Sequence, residues 1–290
     1  MKKIGFIGLG IMGYWMATHL LKKYKTILVF NRSKKNLVKL KKNNPLLKIN
    51  STDSLKSIGE QSNFIFSCVG NDSDLEEIYF SRNGIFNNMN KTTYIVDHTT
   101  STSDFAIYAS KKFSKKKSYF FDAPVSGGEI GAKKGLLSVM IGGHKKQLEV
   151  ILPLIENYSK KITYMGTAGN GQLAKMVNQI CVAGVIQGLS EGLIFAKKNN
   201  LNFNNLFSAI SSGAAQSWQM DNRSKTMWNN KFNFGFMNKH MYKDLKILEK
   251  VATNKKINLP ITKEIIRFYK ILIKNGFESE DTSSLIKLLK

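Results

Sequence analysis

The chain of 290 residues is long enough for two domains of ordinary size, since a single hydrophobic core rarely grows to this length. Hydrophobic residues make up 42% of it, which excludes a wholly disordered polypeptide. The formal net charge of +24 suits nucleic-acid or anionic-membrane binding, but the lysines are spread along the whole chain and no DNA- or RNA-binding motif accompanies them. We therefore expect a solvated basic surface, and nucleic acid is not expected as a partner.

The sequence lacks the patterns that are typical of disulfide-rich, metal-binding and membrane proteins. Cys68 and Cys181 lie far apart in apolar surroundings and form no C-x-x-C pair, so both are expected to be buried thiols. The four histidines have no metal-ligand spacing, and no metal is predicted. No stretch approaches the ~20 apolar residues of a membrane span. We expect a cytoplasmic protein with no membrane partner.

Short β-rich runs alternate with helical patterns from residue 1 to about residue 165. The predicted strands are 3–7, 26–30, 63–69, 93–97, 119–122, 138–142 and 162–165. The segments between them, for example 11–23 and 34–42, have helical apolar spacing. Such alternation predicts a mostly parallel sheet that is covered by helices on both faces.

The β-type patterns stop after Gly171. Residues 170–199 form one long helical pattern with apolar residues on several sides, which is typical of a helix buried among other elements. Further helical patterns cover 203–211, 236–253, 260–274 and 281–289. We predict the α/β fold class, with a sheet domain at 1–165 and an all-α domain, built on a long central helix, at 166–290.

The stretch 8–13 has the pattern G-x-G-x-x-G and lies between the first predicted strand and the first predicted helix. In that context Gly8 permits a tight turn, Gly10 lets a pyrophosphate approach the backbone, and Gly13 lets the helix pack closely. The helix N-terminus offers N–H groups and partial positive charge to the phosphates. These features predict a Rossmann-type domain that binds a dinucleotide cofactor at Gly8, Leu9, Gly10, Ile11, Met12 and Gly13.

Asn31, Arg32 and Ser33 follow the second predicted strand, where such domains bind the adenosine ribose. An acidic residue there accepts from the 2′-hydroxyl of NAD, whereas an Arg binds the 2′-phosphate of NADP. Asn31 lacks the carboxylate that would repel a phosphate, Arg32 has a planar fork of donors, and Ser33 adds a hydroxyl. The stretch predicts that NADP(H) is preferred and NAD(H) is also accepted; a surface Arg in a turn is the alternative.

Two later motifs combine polar side chains with glycines. Ser126, Gly127 and Gly128 follow a predicted strand, and a hydroxyl beside backbone N–H groups can hold a carboxylate. Lys175 and Asn178 follow a glycine-rich hinge, and their i, i+3 spacing places both on one helix face. Because burying an unpaired ammonium is costly, a lysine in this apolar helix indicates either a functional group or a structural ion pair.

These four motifs, in this order and over nearly the whole chain, resemble those of the β-hydroxyacid dehydrogenase family, which includes 3-hydroxyisobutyrate dehydrogenase and tartronate semialdehyde reductase. The resemblance implies that Lys175 is the catalytic lysine and that Asn178 orients the substrate. It implies that Ser126, Gly127 and Gly128 form the substrate-carboxylate loop. It also implies further cofactor contacts, at Val69, Gly70, Thr100 and Lys243. Many relatives have a Leu-Pro pair where this chain has Val69-Gly70, so a looser contact is expected there.

The resemblance also implies an activity. It indicates an NAD(P)-dependent oxidoreductase that interconverts a small hydroxy acid and its semialdehyde by hydride transfer, with Lys175 as acid and base. The expected partner is a small carboxylic-acid substrate, and the expected assembly is a homodimer or homotetramer.

Alternative interpretations remain open at this point. An imine reductase-like enzyme has a similar fold but generally lacks the lysine, and a dehydrogenase of the 6-phosphogluconate type has a larger helical domain than 290 residues allow. A non-enzymatic basic paralogue would bind nucleic acid through its charge. His98 is either a substrate contact or a local hydrogen-bonding group, and Trp218 lines either the substrate pocket or a core.

Overall fold

The computed structural model describes residues 2–289. It consists of two compact units, Met1–Lys175 and Met176–Lys290. The sequence predicted a boundary between residues 165 and 166. The division lies ten residues further along because the first turn and a half of the long helix belongs with the sheet unit.

Within residues 2–289, nine strands form one sheet in the first unit. They are β1 (Ile4–Ile7), β2 (Thr26–Phe30), β3 (Lys48–Ser51), β4 (Phe64–Ser67), β5 (Tyr94–Asp97), β6 (Tyr119–Asp122), β7 (Val125–Ser126), β8 (Leu137–Gly142) and β9 (Ser159–Gly166). The strand order is β3-β2-β1-β4-β5-β6-β8-β7, and β9 pairs with β8. Strands β1 to β6 are parallel, whereas β8 runs antiparallel to β6 and β7. The order reverses beside β1, which is where dinucleotides bind in open sheets of this kind.

Helices cover both faces of this sheet. They are α1 (Ile11–Tyr24), α2 (Lys34–Asn43), α3 (Leu55–Gln61), α4 (Asp72–Phe80), α5 (Ile85–Asn88), α6 (Ser103–Ser114), α7 (Gly128–Lys134) and α8 (Leu148–Ile155). Side chains alternate across the sheet, so Phe64 and Phe66 belong to one buried cluster and Ile65 to the other. Each face therefore has its own hydrophobic core.

The helix α9 (Asn170–Lys198) begins in the first unit and continues into the second. The second unit also contains α10 (Phe203–Ile210), α11 (Trp218–Trp228), α12 (Asn238–Asn254) and α13 (Pro260–Lys274), followed by a 3-10 helix at Thr282–Leu289. Two buried clusters hold it together, one around Tyr269 and Met241 and one around Met227 and Leu193. The fold class is the predicted one, a Rossmann-type mostly parallel sheet followed by a helical domain with a long helix.

Strands β3 and β7 and the helix α11 were not among the predicted elements. The edge strand β3 was missed because its sequence has a single apolar residue and is largely exposed. The helix α11 was missed because polar residues dominate it. The segment 281–289 was predicted to be helical, and the structure has a 3-10 helix at Thr282–Leu289.

The surface of α9 differs from the expectation of a helix buried all round. Val177, Val185 and Phe195 are exposed on it, and Phe195 leaves 69% of its surface open. Cys181 on the same helix is also exposed and Cys68 is half-buried, which corrects the expectation of two buried thiols. Among the described helices, α9 has the length and composition of a membrane span, with a mean hydropathy of 1.4 over its most apolar window. This corrects the expectation that no stretch comes near that length, but it is weak support for a span, because core helices pass the same test.

Candidate active site

The glycine loop joins β1 to α1 in a conformation that side chains would block. Gly8 has a φ of +91°, and a Cβ there would lie 2.2 Å from the carbonyl oxygen of Cys68. A Cβ on Gly13 would lie 2.0 Å from the carbonyl oxygen of Gly8. At Gly10, by contrast, a Cβ would meet no atom within 4 Å, so the N-terminus of α1 faces open space. With no acidic residue in the first turn of α1, this cradle fits the pyrophosphate of a dinucleotide.

Asn31 holds the glycine loop in place from the end of β2. Its Oδ1 accepts from the backbone N–H of Leu9 at 2.7 Å, and its Nδ2 donates to the carbonyl of Ser33. Asn36 donates to the carbonyl oxygen of Leu9 at 2.6 Å. The side chain of Asn31, predicted as a cofactor contact, thus forms structural hydrogen bonds within this region.

Arg32 extends from the turn after β2 into solvent. Its side chain is 82% exposed, and its Nη1 lies 3.4 Å from Oδ1 of Asp74, a residue of α4. Ser33 is the N-cap residue that precedes α2, and its side chain forms no capping hydrogen bond. The guanidinium is therefore accessible to a phosphate, and one carboxylate is its neighbour.

The chain after β4 and the loop after β5 are hydrogen-bonded together. The N–H of Val69 donates to Oγ1 of Thr99 at 3.0 Å, and the N–H of Gly70 donates to Oδ2 of Asp74 at 3.1 Å. Thr100, predicted to lie beside the nicotinamide ribose, follows Thr99 in the same loop. The structure thus brings the predicted residues 69, 70 and 100 to neighbouring strand ends.

The side chain of Gln172, a residue that was not identified from the sequence, forms two hydrogen bonds to the backbone of this loop. Its Nε2 donates to the carbonyl of Thr99 at 2.8 Å, and its Oε1 accepts from the N–H of Ser101 at 3.1 Å. The side chain is fully buried. Its position three residues before Lys175, as an amide in an apolar helix, was the signal that could have revealed it.

Asp122, at the end of β6, caps the start of α9. Its Oδ1 accepts from the N–H of Gly169 at 2.8 Å and its Oδ2 from the N–H of Gln172 at 3.0 Å. Burial raises the pKa of Asp122 to about 6, and these N–H donors oppose the rise. A Cβ on Gly171 would lie 2.6 Å from the carbonyl oxygen of Asp122, so this close contact requires the glycine.

Lys175 lies beside the predicted carboxylate loop. The side chain is buried, with the residue 7% exposed, and Nζ donates to the carbonyl of Val125 at 2.9 Å. Val125 directly precedes Ser126 in β7, and Gly127 has a φ of +127°. The first unit therefore contains the ammonium, the hydroxyl and the glycine amides in one region.

Asn178 and Lys243 belong to the second unit and are linked there. Asn178 donates to Oε1 of Gln179 at 2.8 Å, and Gln179 donates to Oδ2 of Asp244 at 2.7 Å. The Nζ of Lys243 lies 3.2 Å from Oδ1 of Asp244. Gln179 and Asp244 are both buried and were not identified from the sequence, because their contact joins helices 65 residues apart.

His98 and Trp218, whose roles were left open, have different surroundings. Both ring nitrogens of His98 lie within hydrogen-bond distance of buried groups, the carbonyl of Ala123 at 2.7 Å and the hydroxyl of Tyr158 at 2.8 Å. Burial lowers the pKa of His98 to about 4. His98 is thus a local hydrogen-bonding group. Trp218 is 49% exposed with the guanidinium of Arg223 over its ring, so the core alternative for it is wrong.

Asp97, the neighbour of His98, is a buried carboxyl that the sequence analysis did not single out. It accepts from Oγ of Ser67 at 2.7 Å and from the N–H of Thr99 at 3.1 Å. Burial raises its pKa to about 7. Within residues 2–289, no group of three or more His, Cys, Asp or Glu side chains could hold a metal ion.

Two family profiles match successive parts of the chain. A family profile described as the NAD-binding domain of 6-phosphogluconate dehydrogenase matches residues 3–166. A second, described as NAD-binding of NADP-dependent 3-hydroxyisobutyrate dehydrogenase, matches residues 169–289. Neither match favours the imine reductase-like or nucleic-acid-binding alternatives.

Two curated relatives and one solved structure are similar over nearly their whole length. The chain is 41% identical to an uncharacterized oxidoreductase of Shewanella frigidimarina, over 100% of this chain and 99% of the relative. It is 33% identical to 2-hydroxy-3-oxopropionate reductase of Escherichia coli, over 99% and 97%. A Mycobacterium tuberculosis 3-hydroxyisobutyrate dehydrogenase solved with L-serine has the same fold, with a TM-score of 0.89 at 22% identity, over 100% and 99%. The chain belongs to the β-hydroxyacid dehydrogenase family, which consists of NAD(P)-dependent oxidoreductases.

Proposed function

We propose that this protein interconverts a small hydroxy acid and its semialdehyde with NADP(H), using Lys175 as the acid and base. The observation that carries the proposal is the position of Lys175. Its ammonium is buried, and it donates to the carbonyl of Val125, the residue before the Ser126-Gly127-Gly128 loop. The loop offers a hydroxyl and backbone N–H groups that can bind a carboxylate. An ammonium beside that loop can protonate an oxygen of an acid that is held there.

The proposed mechanism divides the work among the chain's own residues. A nicotinamide cofactor, when bound, would supply the hydride-transfer chemistry at the substrate carbon. Ser126, Gly127 and Gly128 hold the substrate carboxylate through a hydroxyl and backbone N–H groups. During reduction, Nζ of Lys175 donates a proton to the carbonyl oxygen, and during oxidation it accepts the proton from the hydroxyl. Asn178 orients that oxygen.

The cofactor contacts follow the same division. Gly8, Leu9, Gly10, Ile11, Met12 and Gly13 would hold the pyrophosphate. Val69 and Gly70 would contact the adenosine side, and Thr100 and Lys243 the nicotinamide side. Arg32 would bind the 2′-phosphate, flanked by Asn31 and Ser33. A preference for NADP(H) is supported by the exposed guanidinium, by the absence of a carboxylate at position 31, and by the description of the profile that matches residues 169–289.

The proposed substrate class follows from the loop and from the relatives. The names of the relatives include 2-hydroxy-3-oxopropionate reductase and 3-hydroxyisobutyrate dehydrogenase, which act on short acids. Tartronate semialdehyde, succinic semialdehyde and 3-hydroxyisobutyrate all carry the carboxylate that the loop would bind. We expect such acids in the cytoplasm to be the substrates.

A homodimer or homotetramer is proposed as the assembly. The exposed face of α9 supports it, because Val177, Val185 and Phe195 lie open there beside glycines at which a Cβ would meet nothing within 4 Å. Contiguous apolar residues on an exposed surface often mark a protein–protein interface, and most soluble oligomers are homo-oligomers. Light scattering on the wild type tests the mass, and Val185→Asp is expected to shift it toward the monomer.

The function is tested by a screen of short semialdehydes and hydroxy acids with each cofactor. Turnover is measured as the change in nicotinamide absorbance. We expect turnover with at least one carboxylate substrate. Binding of DNA that falls steeply with salt, together with no turnover on any substrate, would contradict the proposal and support the non-enzymatic alternative.

A further inference from the structure

A carboxylate lies next to the arginine that would bind the 2′-phosphate. Oδ1 of Asp74 is 3.4 Å from Nη1 of Arg32, 42 residues earlier in the chain. The arginine side chain is 82% exposed, whereas that of Asp74 is 22% exposed. The arginine can therefore move, and the carboxylate is the more fixed partner of the two.

Asp74 is fixed by hydrogen bonds at both its backbone and its side chain. Its N–H donates to Oδ1 of Asn71, the cap of α4, at 3.0 Å. Its Oδ2 accepts from the N–H of Gly70 at 3.1 Å, and Oδ1 is then left facing Arg32. The carboxylate is thus held with one oxygen toward the end of β4 and the other toward the adenosine end of the predicted cofactor site.

Gly70 is the residue that makes this position available. A Cβ on Gly70 would lie 2.5 Å from Oδ2 of Asp74. A proline at this position would place its ring in that space and would lack the N–H donor. The glycine at position 70 and the position of the Asp74 carboxylate are therefore physically coupled.

We propose, resting on the nicotinamide-dependent function above, that Asp74 determines cofactor specificity by weakening the preference for NADP(H) and favouring NAD(H). A carboxylate beside Arg32 competes with the 2′-phosphate for the guanidinium and repels it. The same oxygen can accept a hydrogen bond from the 2′-hydroxyl of NAD(H). In other Rossmann-type domains an acidic residue after β2 has this role, whereas Asn31 of this chain is uncharged. Asp74 thus supplies from the start of α4 the carboxylate missing at position 31, so that the protein uses both cofactors.

The test is a pair of binding titrations on purified full-length protein, without substrate. The dissociation constants of NADPH and NADH are measured by nicotinamide fluorescence at one fixed low salt concentration. In Asp74→Asn the charge is lost, but an amide oxygen that can accept from Gly70 is kept. We expect this variant to bind NADPH about fivefold more tightly and NADH more weakly, since exposed charge pairs contribute up to about 1 kcal/mol, which is about a fivefold change in affinity.

Two further variants separate this effect from a change in total charge. Glu76→Gln removes the same charge from an exposed position on α4 and should leave the ratio of the two dissociation constants unchanged. In an Arg32→Ala background, the gain in NADPH binding from Asp74→Asn should shrink, because the phosphate has lost the group for which Asp74 competes.

Three outcomes would overturn the role of Asp74. Equal shifts in Asp74→Asn and Glu76→Gln would show a general charge effect. Weaker NADPH binding in Asp74→Asn would show that the carboxylate instead positions Arg32 for the phosphate. A wild type that binds neither cofactor would overturn the proposed function as well, so the two failures are distinguished by the wild-type titration.

Discussion

Two regions of the sheet unit are built in opposite ways. At the start of α9, Asp122, Gln172 and Lys175 are buried, and their polar atoms hydrogen-bond to backbone groups at 2.8–3.1 Å. At the end of β2, Arg32 is exposed and its contact with Asp74 is 3.4 Å long. Buried, hydrogen-bonded groups have a fixed geometry, whereas an exposed ion pair in water is weak and adaptable.

Under the proposed function, the difference predicts which step each region controls. Proton transfer needs a group fixed within a fraction of an ångström, which the start of α9 can provide. Cofactor choice needs only a modest difference in affinity, which an exposed ion pair can provide. We therefore expect large kinetic effects from substitutions near α9 and smaller, selective effects at Arg32.

Replacing Lys175 with Ala should have the largest effect. We expect kcat to fall by about 10²–10⁴-fold, the usual contribution of a general acid–base group, with little change in the dissociation constant of NADPH. Lys198→Ala, at the last turn of the same helix, is the matched control and should keep full activity. A Lys175 variant that keeps more than about a tenth of the wild-type kcat would show that the proton comes from another group.

Replacing Ser126 with Ala should weaken substrate capture. One charge-assisted hydrogen bond to a carboxylate contributes roughly 1.5–3 kcal/mol, so kcat/KM should fall about tenfold or more. The cofactor dissociation constants, measured in the same preparation, should not change. An unaltered kcat/KM with a carboxylate substrate would remove this loop from the site.

Replacing Arg32 with Ala should change cofactor choice and leave the chemistry intact. We expect KM for NADPH to rise about tenfold, as for the loss of charge-assisted hydrogen bonds to a phosphate, and KM for NADH to change little. Arg82→Ala removes the same charge from another exposed site. This variant therefore controls for a change in the total charge of the protein. Equal weakening of both cofactors would contradict the role of Arg32, although the dehydrogenase activity would stand.

Replacing Asp97 with Asn should have the smallest effect, on stability rather than turnover. The pKa of Asp97 is raised to about 7 by burial, from an ordinary 3.8 in the unfolded chain. The folded state therefore holds a proton that the unfolded state releases, so this contribution to stability is complete below about pH 4 and is lost as the pH rises to about 7. We expect the wild-type Tm to fall by a few degrees across this window and the variant to show a smaller fall. Parallel curves of Tm against pH would contradict the raised pKa.

The same contrast explains which features could be predicted from the sequence. The glycine loop and the strands around it are local patterns, so the sequence could place Gly8 on the loop after β1, Arg32 after β2 and Lys175 on the long helix, where the structure has them. The partners of these residues could not be placed. Gln172 bonds to a loop more than 70 residues away, and Asp74 reaches Arg32 only because β4 lies beside β1. Such contacts depend on the strand order, which periodicity does not reveal.

The hydrophobic pattern of the sequence also did not reveal that one face of α9 is exposed. Apolar residues at Val177, Val185 and Phe195 indicate burial, but they do not reveal whether the covering surface belongs to the same chain. Within the described residues these side chains are exposed, so the sequence correctly predicted a long apolar helix and incorrectly predicted complete burial.

The central proposal is that the loop beside Lys175 binds the carboxylate of a substrate whose aldehyde or alcohol carbon reacts with a nicotinamide cofactor. The most direct test compares NADPH oxidation by the wild type with a short semialdehyde and with an uncharged aldehyde of the same chain length. We predict a kcat/KM at least about tenfold higher for the semialdehyde, and we expect Ser126→Ala to remove most of that difference. Equal rates with the two aldehydes, or no oxidation of NADPH with any semialdehyde, would contradict the account.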